Sequence, residues 1–584
     1  MIMSNKKLIS NQEQFLSYLD QVQQIATSVE LADNGLTDLT KHIEQAELIV
    51  PVVGGFSAGK STLINSFLGS DLLPTAITPE TALATELRYS PTDYIEAIQA
   101  NGNIIRYEIS QLTEIKNNAQ NFKFLRLFLN NQNLAEIQPL VLVDMPGFDA
   151  PIENHRQAIL EYLNRGTYFI FLTSIEDGTI TRTMHQEIKN LRLFGKGFAF
   201  CLSKTNLRSP SDVKQVQQAM QTQLKTQYRF NQDVVLLDDN GGANLKQILT
   251  AIQPEELFKS LFIDDLQDNY FRNEESLRLT IATLMTSKEE SETVIRTLQD
   301  GIAKLQTKKE KAIEDVENRY SNNGIDSIAD SVGQSIMMQR ENLISLALNN
   351  QTEFQRLLVD CVQSNLLTEV KSRMQDISSD VISGFRFELQ NSFITAPQNF
   401  QIDDSFIDRI AQNSERLLQG AQSGLKVLAE NAGVLSKNAP NSIYRTIASI
   451  IGITTSIVSP VVEVALIFLP EILGFFTQDS KEEQLRRQQQ EQRSAVERQL
   501  LMEIIPQIKG KIRQELPPLF KQNVAQLIQQ VAEQFEVELS QKQAEVGQAI
   551  AEKEAKAEEI NVRVTQLETV KQQLSDLAKP VLFA

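Results

Sequence analysis

The amino-terminal part of the chain carries hydrophobic side chains at intervals of three and four residues. Between positions 11 and 47 the series includes Phe15, Leu19, Val22, Ile25 and Val29. This spacing places the side chains on one face of an α-helix. The pattern therefore predicts an amphipathic helix over 11–47, before a first strand that begins near Leu48.

From residue 48 to about residue 255, short runs rich in β-branched and aromatic residues alternate with helical pieces. The runs read ALATELRYS, YIEAIQANG, NIIRYEIS, PLVLVDMPG, YFIFLTS, GFAFCLS and VVLLDD. Strands that alternate with helices are typical of a mainly parallel sheet. We expect an α/β domain with helices on both faces of that sheet.

After residue 255 the sequence becomes charged, glutamine-rich and helical in character. Two stretches repeat hydrophobic residues at the steps typical of long helices that pack along their length. The first contains Ile295, Leu298, Ile302, Leu305, Ala312 and Val316, and the second contains Ile560, Val564, Leu567, Val570, Leu574 and Leu577. Lys309 and Arg319 interrupt the first repeat. Both stretches predict a helical bundle with coiled-coil character.

Length and charge narrow the possible functions. A chain of 584 residues exceeds what a single hydrophobic core usually serves, so several domains are expected. The formal net charge of -18 argues against a protein that holds nucleic acid over a broad surface. We expect no nucleic-acid partner.

Cysteines and histidines offer little sign of a metal centre. Cys201 and Cys361 are the only cysteines and lie far apart, so they predict neither a disulfide framework nor a metal-ligand spacing. His42, His155 and His185 are scattered singly. The amino terminus lacks the apolar core of an export signal. These observations favour a cytoplasmic protein.

The clearest motif is VVGGFSAGKSTLINSFLG, at residues 52–69. Its spacing of Gly, four residues and Gly-Lys-Ser is that of a P-loop between a strand and a helix. In such a loop, backbone N–H groups and the helix amino terminus surround a phosphate. Lys60 supplies a mobile charge, and Ser61 offers its hydroxyl to Mg²⁺. The candidate nucleotide-binding residues here are Gly54, Gly55, Ser57, Ala58, Gly59, Lys60, Ser61 and Thr62.

A second acidic element follows a later strand in PLVLVDMPGFD. Asp144 ends the apolar run, where a carboxylate can hold the Mg²⁺ shell, and the Gly147 N–H lies where a γ-phosphate would be sensed. Between the two motifs, LLPTAITPETALATELRY offers a threonine that could close on Mg²⁺ when triphosphate is bound.

The motifs GGFSAGKST, LLPTAITPETA and DMPG, together with the large helical remainder, resemble those of dynamin-family GTPases, most of all bacterial dynamin-like proteins. The resemblance is motif-specific over roughly 48–206. It implies GTP or GDP and Mg²⁺ as cofactors. Carried over by position, it implies Lys60 on the β- and γ-phosphates, Ser61 and Thr81 on Mg²⁺, and Asp144 and Gly147 in a second switch. Thr78 competes with Thr81 for the first switch, and Ser57 lies where the family places a serine linked to charge compensation.

The base-reading segment departs from the family pattern. The family has Thr/Asn-Lys-x-Asp, whereas this chain has LSKTNL, with Lys204 and Asn206 at the equivalent positions. Lys204 can still lie along the purine plane, but an amide replaces the carboxylate that would accept two hydrogen bonds from guanine. Asp238 or Asp239 is a candidate to compensate. The departure at Asn206 therefore predicts a relaxed preference for guanine, and a GTPase activity that could be weak or depend on a partner.

A hydrophobic stretch interrupts the charged helical sequence at residues 446–478. Residues 446–462 carry no charge, and Pro460, Pro470 and Gly474 break helix continuity. This length is marginal for one membrane span, so a bent hairpin fits better. A buried bundle core is the alternative. The resemblance places a membrane-binding paddle here, and the residues expected to insert are Ile451, Ile453, Leu466, Phe468 and Phe475.

Together these features predict a P-loop GTPase domain joined to a long helical bundle stalk with a hydrophobic tip. Five parts are expected. An amino-terminal helical segment at 1–47 packs with the stalk, and the GTPase domain follows at 48–255. The stalk has an ascending helical part at 256–440 and a returning helical part at 479–584, with the paddle at 441–478 between them.

The expected function is a mechanochemical GTPase at the inner face of the cell membrane that bends, tubulates or fuses lipid bilayers. Its partners would be phospholipid membrane, a second copy that meets it through the GTPase domains, a higher homo-oligomer and related dynamin-like proteins. Two alternatives stay open. One is a nucleotide-binding scaffold that hydrolyses poorly, and the other is a pore-forming helical protein.

Overall fold

The computed structural model describes residues 9–55, 57–75, 83–99, 101–147, 162, 165–181, 184–185, 188, 191, 196–238, 240–320, 323–393, 406–412, 482–555 and 559–583. The chain forms two compact units. Described residues of the first unit come from Met1–Ile281 and Ala557–Ala584, and those of the second come from Ala282–Gln419 and Ala439–Lys556.

The first unit contains a sheet whose described strands number nine. They are β1 Leu48–Gly54, β2 Thr85–Tyr89, β3 Tyr94–Ile98, β4 Ile104–Tyr107, β5 Phe124–Leu129, β6 Leu140–Asp144, β7 Tyr168–Ser174, β8 Gly197–Ser203 and β9 Val235–Leu236. Their order across the sheet is β4-β3-β5-β2-β6-β1-β7-β8-β9.

The half of the sheet that carries the P-loop is parallel. Strand β1 pairs in parallel with β6 and β7, and β7, β8 and β9 continue the parallel order. Strand β2 runs antiparallel to β6, and β3 runs antiparallel to both β4 and β5. The predicted mainly parallel sheet is confirmed. Strand β5, which the sequence pattern did not predict, lies inside the sheet between β3 and β2.

Helices of the first unit cover the sheet or pack beside it. They are α1 Ser10–Ser28, α2 Leu36–Gln45, α3 Lys60–Leu68, α4 Leu112–Asn117, α5 Gln132–Glu136, α6 Pro210–Tyr228, α7 Gly242–Ala251 and, by most of its length, α8 Pro254–Met285. The predicted helix over 11–47 is wrong in its extent, because α1 and α2 are separate. Between them, Glu30, Asn34 and Gly35 have φ angles of 55, 51 and 80°, which a continuous right-handed helix cannot contain.

The last described helix, α15 Ile560–Leu582, packs with α1 in the first unit, and the Gln267 side chain of α8 donates to its Leu582 carbonyl at 2.8 Å. Backbone N–H groups of Ser10 and Asn11 donate to the Glu255 carboxylate at 2.7 and 2.8 Å. Arg563 Nη2 donates to the Val29 carbonyl at 2.8 Å. The two bonds to Glu255 join α1 to α8, and the bond from Arg563 joins the region just after α1 to α15.

The second unit is helical throughout its described residues. Its main helices are α9 Lys288–Tyr320, α10 Asn323–Met338, α11 Arg340–Asn349, α12 Gln351–Phe393, α13 Glu482–Gln499 and α14 Ile505–Ala555, with a π-helical turn at Leu500–Ile504 between the last two. Leu298 and Leu305 of the predicted repeat are fully buried, whereas Ile295 and Ile302 are half-buried. The predicted long helices are confirmed.

The hydrophobic stretch at 446–478, including Ile451, Ile453, Leu466, Phe468 and Phe475, lies outside the described residues. Within the part of the chain that the structure describes, no helix is both long and apolar enough to cross a bilayer.

Candidate nucleotide-binding site

The P-loop connects a fully buried strand to a helix. All seven residues of β1 are buried, and α3 begins at Lys60. A Cβ at Gly54 would lie 2.1 Å from the Leu172 carbonyl oxygen of the neighbouring strand, so only glycine fits there. Gly59 has a φ of 85°, which also favours glycine. The chain therefore turns tightly from strand to helix where phosphate would bind.

Lys60 is held against the loop that it follows. The residue is only 6% exposed, and its Nζ donates to the carbonyls of Gly54 and Gly55 at 3.2 and 2.8 Å. Ala58 is also buried, whereas Ser57 and Thr62 are exposed. The lysine charge thus lies at the turn that the sequence predicts to bind phosphate.

Ser61 and Asp144 meet beside this turn. Ser61 Oγ donates to Asp144 Oδ2 at 2.8 Å, and the pairing of β1 with β6 places Asp144 level with Val52. Asp144 is 6% exposed. Its Oδ1 is buried and has no hydrogen-bond partner among the described residues. A hydroxyl and a carboxylate with an unused oxygen fit the oxygen ligands that Mg²⁺ prefers.

A buried cation lies close to this carboxylate. Lys116, on α4, is 7% exposed. Burial lowers the pKa of its ammonium group, and the negative charge of Asp144 opposes that shift. Sequence reasoning missed Lys116, because its short helix carries no motif.

The structure describes Gly147 of the predicted second switch but not the threonines proposed for the first switch. Gly147 lies three residues after the end of β6, and it is buried. Thr81 and its competitor Thr78 lie outside the described residues. The roles assigned to these residues stay predictions.

The predicted base-reading residues follow β8. Lys204 has a φ of 56° and begins a short 3₁₀ turn at Thr205–Leu207, in which Asn206 is exposed. Lys204 Nζ lies 2.6 Å from Oε2 of Glu176, in the turn after β7. Sequence reasoning missed Glu176, since only the pairing of β7 with β8 brings it there.

Hydrogen bonds tie these loops together. Ser203 Oγ donates to the carbonyls of Ala58, at 2.7 Å, and Thr173, at 3.1 Å. Thr205 Oγ1 donates to the Leu237 carbonyl at 3.1 Å. The P-loop and the loops after β7, β8 and β9 thus form one continuous edge of the site.

Asp238 and Asp239 are the two candidates to replace the missing base-reading carboxylate, and the structure describes only Asp238. Asp238 Oδ1 accepts a hydrogen bond from the Asn240 backbone N–H at 3.0 Å, so this oxygen stabilises its own turn. Asp239 lies outside the described residues. Asp238 as a base-reading residue stays a prediction.

A buried charge cluster lies on β2. Glu86 is fully buried and pairs with Arg88 and Arg165 at 2.6 Å each and with Arg126 at 3.2 Å. Tyr162 also donates to it at 2.9 Å. Burial alone would raise the pKa of Glu86, but the three arginine charges outweigh burial and hold that pKa far below its usual range. Sequence reasoning missed this cluster too.

Comparison with known proteins gives one family and several relatives. Residues 50–196 match the sequence profile of the dynamin family. An uncharacterized protein from Caldicellulosiruptor is 26% identical over 35% of this chain and 52% of its own length. Dynamin-like protein 2 from Campylobacter jejuni is 29% identical over 32% of this chain and 30% of its own length.

Among solved structures, a protein described as part of an oligomerised bacterial dynamin pair in membrane sensing and tethering is 14% identical. The alignment covers 96% of this chain and 95% of that one, with a TM-score of 0.31. The chain spans about half or less of the length of the two curated relatives described above.

Proposed function

We propose that the chain, whose residues 50–196 match the dynamin family profile, is a self-assembling GTPase that binds and remodels lipid bilayers. The observation that carries the proposal is the meeting of Lys60, Ser61 and Asp144 at one turn. A mobile ammonium, a hydroxyl and a carboxylate there suit a Mg²⁺-bound nucleoside triphosphate.

Each group has a definite task in the proposed hydrolysis. Lys60 would leave the loop carbonyls and bind the β- and γ-phosphates, while Ser61, Asp144 and Thr81 would hold Mg²⁺. Mg²⁺, when bound, neutralises charge on the phosphates. Phosphoryl transfer depends mainly on positioning and charge stabilisation, so a well-oriented water suffices as the nucleophile. Ser57 and the Gly147 N–H would stabilise the charge that develops.

The membrane part of the proposal rests on the apolar stretch at 446–478. A run of apolar residues that is bordered by charged helical sequence is suited to shallow insertion between lipid headgroups. We propose that Ile451, Ile453, Leu466, Phe468 and Phe475 enter the inner face of the cell membrane. We also propose the five-part organisation 1–47, 48–255, 256–440, 441–478 and 479–584.

We also propose that copies of the chain assemble with one another. Two copies would meet through their GTPase domains and order the switch segments, and higher oligomers or related dynamin-like partners would extend the assembly on the lipid surface. Hydrolysis would then be coupled to a change in membrane shape.

The test compares GTP turnover by the purified chain with and without anionic liposomes. We expect turnover that liposomes stimulate and that Lys60→Ala abolishes. Lys214→Ala, at an exposed position on α6, is the matched control and should keep full activity. Failure of the wild-type chain to bind any guanine nucleotide would refute the proposal.

Deletion of 446–478 tests the membrane assignment separately. We expect the deletion variant to bind GTP normally and to lose sedimentation with liposomes. Full liposome binding by this variant would rule out the proposed paddle.

Asn206 favours a second candidate function, a membrane scaffold that binds nucleotide but hydrolyses it poorly. The amide lacks one of the two acceptors that guanine requires. GTP binding without liposome-stimulated turnover would support the scaffold. Leakage of vesicle contents without a change in vesicle shape would instead support a pore-forming protein.

A further inference from the structure

The ion pair between Glu176 and Lys204 joins two loops of the candidate site. Glu176 Oε2 lies 2.6 Å from Lys204 Nζ, and the two side chains are 53% and 33% exposed. Hydrogen bonding to the Lys204 ammonium is the main reason that the pKa of Glu176 lies below its usual value. The Glu176 carboxylate therefore accepts a charge-assisted hydrogen bond.

The backbone brings both residues to the same edge of the sheet. Strands β7 and β8 pair in parallel with Ser174 opposite Ser203, so the residues after each strand emerge side by side. Ser174 Oγ accepts a hydrogen bond from the Glu176 backbone N–H at 3.1 Å, which fixes the turn. Lys204 has a left-handed backbone conformation. The pair is thus set by the strand register.

The order of the strands determines the side from which Glu176 reaches Lys204. Strand β7 lies between β1, which carries the P-loop, and β8, which carries Lys204. Glu176 therefore approaches the ammonium group from the P-loop side. A lysine held at its tip would present its methylene groups as a surface on which a purine can lie.

The ion pair between Glu176 and Lys204 adds little to the stability of the fold. Exposed ion pairs contribute little to folding stability. Asn206, two residues further along the same turn, stands where the family pattern has a carboxylate that would help to hold the base. Base binding in this chain consequently depends more heavily on Lys204 and on whatever orients it.

We propose that Glu176 is a positioning residue that holds Lys204 along the plane of a bound purine. This inference rests on the proposed function, since it requires that the site binds a purine nucleotide. Glu176 acts through Lys204 and does not contact the nucleotide.

The test measures the dissociation constant for GDP in the full chain by calorimetry. Glu176→Gln should raise it about fivefold, the upper end for an exposed ion pair, and leave the melting temperature unchanged. Asp177→Asn is the matched control, because Asp177 is the adjacent exposed carboxylate and accepts a hydrogen bond from Thr173 Oγ1 at 3.5 Å. It should leave both quantities unchanged.

A double-mutant cycle separates positioning from a general charge effect. Lys204→Met alone should weaken GDP binding, and adding Glu176→Gln to it should cause no further loss. Additive losses, or no effect of Glu176→Gln in the wild-type background, would overturn the inference. If the wild-type chain binds GDP in a Lys60-dependent manner and Glu176→Gln is silent, this inference alone fails. If the wild-type chain binds no nucleotide, the proposed function fails with it.

Discussion

Ser61 donates a hydrogen bond to Asp144 across a separation of 83 residues in the chain, with 2.8 Å between Oγ and Oδ2. The helix after one buried strand and the end of the neighbouring strand meet there. The second carboxylate oxygen of Asp144 is buried and finds no hydrogen-bond donor among the described residues. A buried acceptor of this kind is costly unless a ligand satisfies it, which makes it a direct target for experiment.

Asp144→Asn and Ser61→Ala should each raise the Mg²⁺ concentration needed for half-maximal GTP binding by about tenfold or more. Because the two groups are in contact, the double variant should lose less than the product of the single effects. Titration of Mg²⁺ against binding of a fluorescent GTP analogue measures this. Ser70→Ala, at an exposed position just after α3, should behave as wild type, and an unchanged Mg²⁺ requirement in Asp144→Asn would contradict the assignment.

Glu86→Gln should destabilise the first unit by about 3–5 kcal/mol, because it leaves three arginine charges without their buried carboxylate. Urea unfolding at pH 7 measures the loss. The control is Glu96→Gln, because Glu96 is partly exposed and lies 3.8 Å from Arg126. We expect that control to cost about 1 kcal/mol or less, and equal losses in the two variants would refute the role of burial.

The free energy of unfolding of the first unit should also depend on pH because of Glu86. Its folded-state pKa lies below the unfolded value, so its contribution is complete above about pH 4.5 and is lost as the pH falls further. Unfolding free energy of the wild-type chain should therefore decline below that pH. Glu86→Gln should show a flatter decline over the same range, and parallel curves for the two proteins would argue against the assignment.

Phe385→Ala should destabilise the second unit by about 3–5 kcal/mol. The side chain is fully buried, and its ring packs edge-on against Phe535 at 5.6 Å. Phe387→Ala is the matched control, since that side chain, two residues along the same helix, is 62% exposed. It should change stability by less than about 0.5 kcal/mol. Thermal unfolding monitored at the helical signal distinguishes the two.

Cys201 and Cys361 should resist a thiol reagent at pH 8 in the native protein and react fully after denaturation. Both are buried, and burial raises the pKa of the Cys201 thiol to about 12. Thiolate is the reactive form, so a buried neutral thiol is inert. Rapid native labelling of Cys201 would show that β8 opens readily.

The sequence predicted the P-loop correctly, because the residues that form it are consecutive in the chain. The P-loop is recognisable because strand, glycine turn, lysine and helix follow one another directly in β1 and α3. Strand β5 was missed because it follows a short helix and lacks the clear turn signals that mark the others. Propensity alone does not decide such segments, since pairing with β2 and β3 completes the strand.

Contacts between distant segments could not be predicted in the same way. Glu86 and Arg165 are separated by 79 residues, and nothing in either neighbourhood indicates the other. Glu176 and Lys204 meet only because β7 and β8 pair in one register. Positions of this kind depend on topology, which hydrophobic periodicity does not specify.

The bond from Arg563 to the Val29 carbonyl spans 534 residues, and this has a consequence for biosynthesis. During translation α1 is made before the second unit and α15 is made after it. Until α15 emerges, α1 lacks one of the helices that cover it in the finished protein. The nascent chain must therefore shield by other means the part of α1 that α15 covers in the finished protein, and translational pausing late in the message would prolong that exposure.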